Sequence, residues 1–344
     1  MIKQSVFIFL VCFLIFSCKK DKPETIIQPL ITSNNNGVVY ITNEGNFQFG
    51  NAAISLYDKE SKNIIEDYYK QVNQVPLGDV CQSMTYFNNK FYIVVNNSSK
   101  VMVVNAATFK IEATISGFNS PRYFIPVSNS KAYVSDLYDN RLTIVNLSTN
   151  TISGYIPAVA GTEQMKMVYG KVFVSSLFTD KVYVINAMTD MLTDSITLAY
   201  SPNSICEDKN GILWVLCSGD SLKQKPSALI QMNPLNNQVI KSFVFTGNHA
   251  PWRMCMNQQN DTLYFLDRHV WQMSISDTTL PSTPFINGNG KLFYTLSVDA
   301  SNGEIYVSDA IDYLQRGSIY RYSASGNLID QFKAGIIPGG FCFR

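Results

Sequence analysis

Fourteen polar and aromatic side chains carry most of the chemistry that this sequence can offer, and they are scattered rather than clustered. They are Glu44, Asn46, Phe47, Asp79, Gln82, Arg122, Tyr138, Glu163, Phe178, Asn203, Trp252, Arg253, His269 and Tyr313. Each lies in a segment that reads as a turn or as the entry to a strand. Amides and guanidinium groups exchange hydrogen bonds with amide or hydroxyl oxygens, and aromatic faces cover flat surface. Such a set suits a large neutral ligand better than a single reacting bond. Nucleophilic catalysis has little support, because the chain has no Gly-x-Ser-x-Gly elbow and no phosphate-cradling loop. Only two histidines occur, His249 and His269, and either imidazole would suit cobalt, copper or zinc. A metal-assisted hydrolase would need a carboxylate and amide set such as Glu44, Asn203 and Asp309 or Asp299 to converge on one cation. No resident metal or cofactor is expected.

What would hold these residues in place is a repeat. Anchoring aromatics recur at Tyr40, Tyr92, Tyr133, Phe173, Trp214, Tyr264 and Tyr306, with steps of 52, 41, 40, 41, 50 and 42 residues. The clearest unit runs Pro121-Arg122-Tyr123-Phe124-Ile125, then Lys131-Ala132-Tyr133-Val134-Ser135. It continues with Arg141 to Asn146 and Thr151 to Ile156. Four strands in forty-odd residues is the arithmetic of a β-propeller blade. The expected fold is therefore all-β, a seven-bladed β-propeller with four-stranded antiparallel blades. The first unit opens directly on Val38-Val39-Tyr40-Ile41-Thr42 and lacks an inner strand, while Pro338 to Arg344 looks like the missing one. The C-terminal strand is thus expected to close the ring, which also hides its edges.

In a propeller, the loops entering the inner strands and those joining the second and third strands share one face. Function is expected on that face, on loops held by a rigid scaffold. All fourteen candidates fall there, and so do both histidines. The same alignment places Cys81, Cys206, Cys255 and Cys342 at closely equivalent inner-strand positions and Cys217 at the end of a second strand. Equivalent positions on separate blades are too far apart to bridge unless the blades are adjacent and the Cβ vectors meet, so buried free thiols are expected, with a disulfide as the alternative in an oxidising compartment.

The first eighteen residues read as a targeting signal. Lys3 precedes an apolar run, Ser5 to Phe16, which is short for a membrane span and ends at Cys18. Residues 1–18 resemble a bacterial lipoprotein signal, which implies lipidation of Cys18 and a membrane anchor. Residues 19–36, with Pro23, Pro29 and Asn34-Asn35-Asn36, read as a flexible tether, and 37–344 as the propeller. A net charge of +1 without basic or acidic runs gives no footprint for nucleic acid.

Several segments carry a family resemblance. They are Ile41 to Phe47, Ala53 to Asp58, Leu77 to Met84, Lys90 to Ser98 and Pro121 to Tyr123. They resemble the YVTN/YncE-like propellers, and more specifically the Bacteroidota surface lipoproteins of the cobalamin-capturing BtuG type and their unassigned relatives. The resemblance implies a seven-bladed lipoprotein on the outer membrane, exposed at the cell surface. There it would bind a corrinoid and pass it to a TonB-dependent transporter. A glycan or siderophore is the alternative ligand, and a metal-dependent lactonase-like hydrolase the alternative activity. The later blades depart from the pattern where ligand choice would be made. Ser218 to Ser227 enlarges the fifth, and Asp267-Arg268-His269-Val270-Trp271 stands in the sixth.

Overall fold

A computed structural model describes residues 37–344. The expected lipidation at Cys18, the signal over 1–18 and the tether over 19–36 lie outside the described residues. The described residues form seven antiparallel sheets. Their inner strands are Pro338–Phe343, Cys81–Phe87, Pro121–Pro126, Thr162–Val168, Pro202–Glu207, Trp252–Met256 and Phe293–Val298, for blades 1 to 7. Each inner strand packs against the next, and the seventh packs against the first, so the ring is closed. Closure is by the C-terminal strand, which pairs with Val38–Asn43 at the opposite end of the chain.

The anchoring aromatics occupy one structural position. Each sits on the second strand of its blade opposite an inner-strand residue: Tyr40 faces Cys342, Tyr92 Thr85, Tyr133 Ile125 and Phe173 Lys166. Trp214 faces Cys206, Tyr264 Cys255 and Tyr306 Ser297. All seven are buried. Burying an aromatic side chain removes about 150–250 Å² from water, or about 4–6 kcal/mol of transfer free energy before entropy is charged. Their apolar faces alternate with those of neighbouring strands, and clusters of core residues bridge successive blades. Inner strands are also stitched sideways: the hydroxyls of Ser83 and Thr85 donate to the carbonyls of Arg122 and Phe124, at 2.7 and 3.0 Å.

This register corrects one expectation. Cys206, Cys255 and Cys342 are equivalent, but Cys81 lies four residues before its blade's equivalent position, Thr85, at the mouth end of the strand. The five described cysteines are free thiols, and burial pushes Cys206 and Cys342 up to about 12.

Two blades depart from four regular strands. Blade 6 has three named strands, and its fourth shrinks to a single bridge between Val270 and Ile286. The segment in between contains Pro281 and Pro284, which cannot donate to a ladder. Blade 1 has a two-residue fourth strand, Ile64–Ile65, followed by a helix, Tyr68–Asn73. That helix was not legible as a helix in the repeat. Asp67 caps it by accepting from the Lys70 N–H, and Tyr68 and Tyr69 sink into a cluster with Tyr40 and Phe109.

Candidate functional site

Every inner strand carries one extra residue at its mouth end. In blade 2, Cys81 and Ser83 pair with the adjacent Val95 and Val94, so Gln82 has no partner of its own. The same shift falls at Gly339, Asn203, Arg253 and Tyr294 in blades 1, 5, 6 and 7. In blades 3 and 4 it falls within Arg122-Tyr123 and Glu163-Gln164. A bulge takes a residue out of strand alternation and re-aims its side chain. Here the bulges surround one axis, so a ring of polar side chains is gathered at the channel entrance. Arg253 adopts a positive φ of 55° to make its bulge. In blade 1 the bulged residue is glycine: a Cβ on Gly339 would lie 2.6 Å from Glu44 Oε1, so the Glu44 carboxylate takes the space of the missing side chain.

These side chains form one network. Arg122 donates from Nε and Nη2 to both oxygens of Glu163, at 2.6 and 2.8 Å, and from Nη1 to Gln82 Oε1. Glu163 has no exposed surface. Arg253 also approaches Glu163, at 3.9 Å, and donates to the Tyr123 hydroxyl from the other side of the channel. The Tyr294 hydroxyl donates to Glu44 at 2.9 Å. Burial opposes the charge on Arg122, but the Glu163 carboxylate more than restores it, and its pKa is raised. Glu44 keeps part of its surface open to the cleft, yet burial of its carboxylate pushes its pKa up despite the Tyr294 bond.

Above this floor lies a cleft of about 360 Å³, lined by Glu44, Phe47, Gln82, Arg122, Tyr138 and Tyr294 among others. Exposed aromatics stand on its rim. Phe47 is 61% exposed and Tyr138 63%, and Phe49, Phe178 and Tyr313 also face solvent. Tyr138 and Phe178, from neighbouring blades, stack with centroids 6.4 Å apart. Gly161, at φ +88°, lets the Phe178 ring come close; a Cβ there would lie 2.8 Å from it.

The expected site residues divide into groups. Glu44, Gln82, Arg122, Glu163 and Arg253 form the floor. Phe47, Tyr138 and Phe178 belong to the rim, and Tyr313 packs edge-on against Tyr294 at 5.8 Å. Asn46 ties two mouth loops together, donating to the Tyr313 carbonyl at 2.9 Å. Asp79 also ties mouth loops together, accepting from the Gln48 N–H and the Asn97 amide. Trp252 lies over the Arg253 guanidinium, 4.9 Å away. Asn203 turns aside: its amide donates to Ser218 Oγ and the Pro251 carbonyl, fastening blade 5 to blade 6. His269 accepts from the Gly288 N–H at 3.0 Å and so holds the loop that replaces the missing strand. Tyr294 was missed, because Phe293-Tyr294 reads as an ordinary aromatic strand start. Tyr123 was legible only as a neighbour of Arg122.

The residues conscripted for a metal-assisted hydrolase are not gathered. Asp309 accepts from backbone N–H groups of Leu292 and Ile311. Asp299 follows the far end of its inner strand and pairs with Lys59 at 2.7 Å. Among the described residues no three His, Cys, Asp or Glu side chains form a metal-holding group.

A larger cavity, of about 460 Å³, lies away from the axis, beside the shortened blade 6. Phe245, His249, Phe265, Asp267, Trp271 and Leu280 line it, and His249 Nδ1 bonds to Asp267. It gathers none of the floor or rim residues.

Residues 36–337 match a family described as a domain of unknown function, DUF5074. No curated protein matches the chain by sequence. Among solved structures it is similar to a quinoprotein alcohol dehydrogenase-like protein from Bacteroides thetaiotaomicron, with a TM-score of 0.72 and 16% identity over 90% of this chain and 78% of that one. It is also similar to a functionally unknown protein from Desulfotomaculum acetoxidans, with a TM-score of 0.70 and 14% identity over 89% and 98% of the two chains. A protein of unknown function from Bacteroides caccae gives a TM-score of 0.52 and 14% identity, over 89% and 97%. At these identities the likeness is one of fold.

Proposed function

The chain belongs to the DUF5074 family, whose function is unknown, and from that premise we propose that it is a capture protein that binds a large, amide- or hydroxyl-rich nutrient at the propeller mouth. One observation carries this reading: exposed aromatics from several blades stand around a buried floor of arginine, carboxylate and amide groups. Ligand sites combine apolar walls with a few placed polar groups in this way. The mouth of a ring is also a broad platform, so a disc-shaped ligand fringed with amides matches it in area and symmetry. A corrinoid is the first ligand to test, and a glycan or siderophore follows. In the same proposal Cys18 anchors the protein to the outer membrane, facing the cell surface, and the ligand passes to a TonB-dependent transporter. The lipoprotein-like signal and the family resemblance of the segments between Ile41 and Tyr123 support that setting. The metal-dependent hydrolase is the weaker reading, since its residues serve other partners.

The test is a titration of residues 19–344 with cyanocobalamin and cobinamide, by calorimetry and by the visible corrin spectrum. Saturable one-to-one binding with no turnover is the expected result. Absence of binding to both corrinoids removes that ligand class and moves the same titration to glycans and ferric siderophores. Turnover that is lost with a chelator would replace capture by catalysis.

A further inference from the structure

Along the inner strands, below the bulged residues, lies a cavity of about 160 Å³. Thr42, Gln82, Tyr123, Gln164 and Arg253 line it, together with backbone of Gly339 and Gly340. Three buried polar atoms on these residues have no hydrogen-bond partner: Arg253 Nε, Gln82 Nε2 and Thr42 Oγ1. Arg253 is 6% exposed, Gln82 2% and Thr42 1%, so none is rescued by bulk solvent. Orphaned donors at this depth are rare and costly.

The orientation of these donors follows from their neighbours. Gln82 Oε1 accepts from Arg122 Nη1, which sets the amide so that its NH2 is the free end. Arg253 spends Nη1 on Tyr123, and Tyr123, accepting there, still has its own proton to donate. The charged groups beside the pocket are engaged only in part with one another. Arg122 and Arg253 share one fully buried carboxylate, Glu163, which is bidentate to Arg122 and 3.9 Å from Arg253. The other acid facing them, Glu44, is engaged with Tyr294. The free groups that line the pocket beside these guanidinium groups are N–H and O–H donors.

We infer that this cavity is a binding site for a compact oxyanion, a carboxylate or phosphate group, held by Arg253 Nε, Gln82 Nε2 and the Thr42 hydroxyl. Guanidinium and amide donors match carboxylate and phosphate oxygens in geometry as well as charge. The oxyanion is either a free ion or an acidic arm of the ligand at the rim. The site deepens the reading of the mouth as the binding face, but its existence depends only on the floor residues.

The test titrates the folded protein with sodium acetate and with inorganic phosphate at constant ionic strength, by calorimetry and by thermal melting. Wild type is expected to bind at least one of them saturably, one to one, with a rising melting temperature. Gln82→Glu keeps the acceptor for Arg122 but removes the donor and adds a negative charge; it is expected to weaken anion binding at least about tenfold. Arg253→Met is expected to do the same, and Gln82→Glu carries the test if that variant fails to fold. Absence of saturable binding in wild type, or undiminished binding in a folded Gln82→Glu protein, overturns the inference and assigns the cavity to water. A competition arm measures cyanocobalamin capture with and without phosphate. Competition places the oxyanion on an arm of the rim ligand, and independent binding makes it a free ion. Corrinoid binding without anion binding would sink this inference alone. Anion binding without corrinoid binding would sink only the corrinoid reading.

Discussion

Two buried arginines sit in opposite situations. Arg321, at the far end of the seam between blades 7 and 1, is fully spent. Its Nε and Nη2 donate to both oxygens of Glu304 at 2.8 and 2.9 Å, and its Nη1 reaches the Tyr57 hydroxyl and the Lys59 carbonyl. Lys59 in turn pairs with Asp299. Arg253, at the mouth, is about as buried but keeps Nε unpaired and shares the carboxylate it pairs with, Glu163, with Arg122. The first arrangement is what a structural lock looks like. It joins the two blades that come from opposite ends of the chain. The second leaves donors that ordinary folding pressure would have satisfied, which is how binding groups look before a ligand arrives.

The largest expected effect tests the lock. Arg321→Met strands Glu304, whose side chain keeps 15% of its surface exposed, and should cost up to about 3–5 kcal/mol, the penalty for removing one partner of a buried pair. Urea unfolding monitored by tryptophan fluorescence would measure it. Arg122→Ala should fall in the same range, because it strands the fully buried Glu163; it is therefore a poor probe of ligand contact, and lost capture in it would not be specific. Arg253→Met should cost less, about 1–2 kcal/mol: it gives up one hydrogen bond and a 3.9 Å ion pair, but leaves Glu163 bidentate to Arg122 and removes an unsatisfied donor. Equal losses at Arg253 and Arg321 would break the comparison.

Rim variants sharpen it from the other side. Trp252→Ala and the pair Tyr138→Ala with Phe178→Ala should each weaken capture of the rim ligand about tenfold, or about 1.4 kcal/mol. Tyr138 is exposed, so that pair should leave the melting temperature near wild type. Affinity unchanged in both variants would remove the rim from the binding face.

The smallest effect concerns pH. Burial raises the Glu44 pKa, so the folded protein holds a proton that the unfolded chain releases. The stability this proton contributes is complete below the ordinary carboxylate pKa and is lost as pH rises through the raised, folded value. Glu44→Gln should flatten that decline without changing stability at acid pH. A pH–stability curve with the wild-type slope in the variant would place the titration elsewhere.

Much of the fold was legible because propeller blades are written locally. Aromatic second strands at Tyr40, Tyr92, Tyr133 and Phe173 recur at a period that only a blade explains, and an unpaired first unit demands a strand from the other end. The site was half legible. Gln82, Arg122, Glu163 and Arg253 stand out as polar residues where strands begin, and Glu44 as one just after a strand ends. Their meeting does not, because Arg253 and Tyr123 are 130 positions apart in sequence and touch only across the closed ring. Asn203 reads like its neighbours in the ring yet faces Ser218 and Pro251.

The chain by itself therefore determined seven blades, their order, the closing strand and the face on which polar residues would gather. Alternation and aromatic spacing are local properties, and they survive inspection one segment at a time. Tertiary structure alone decided which side chains converge. A bulge is a one-residue change of register against a partner strand, so it exists only in the pairing, and seven of them together re-aim the inner-strand ends toward one axis. The shortened sixth blade was decided there too. Its two prolines forbid a ladder, but only the folded ring shows that a single bridge at Val270 suffices to hold the segment.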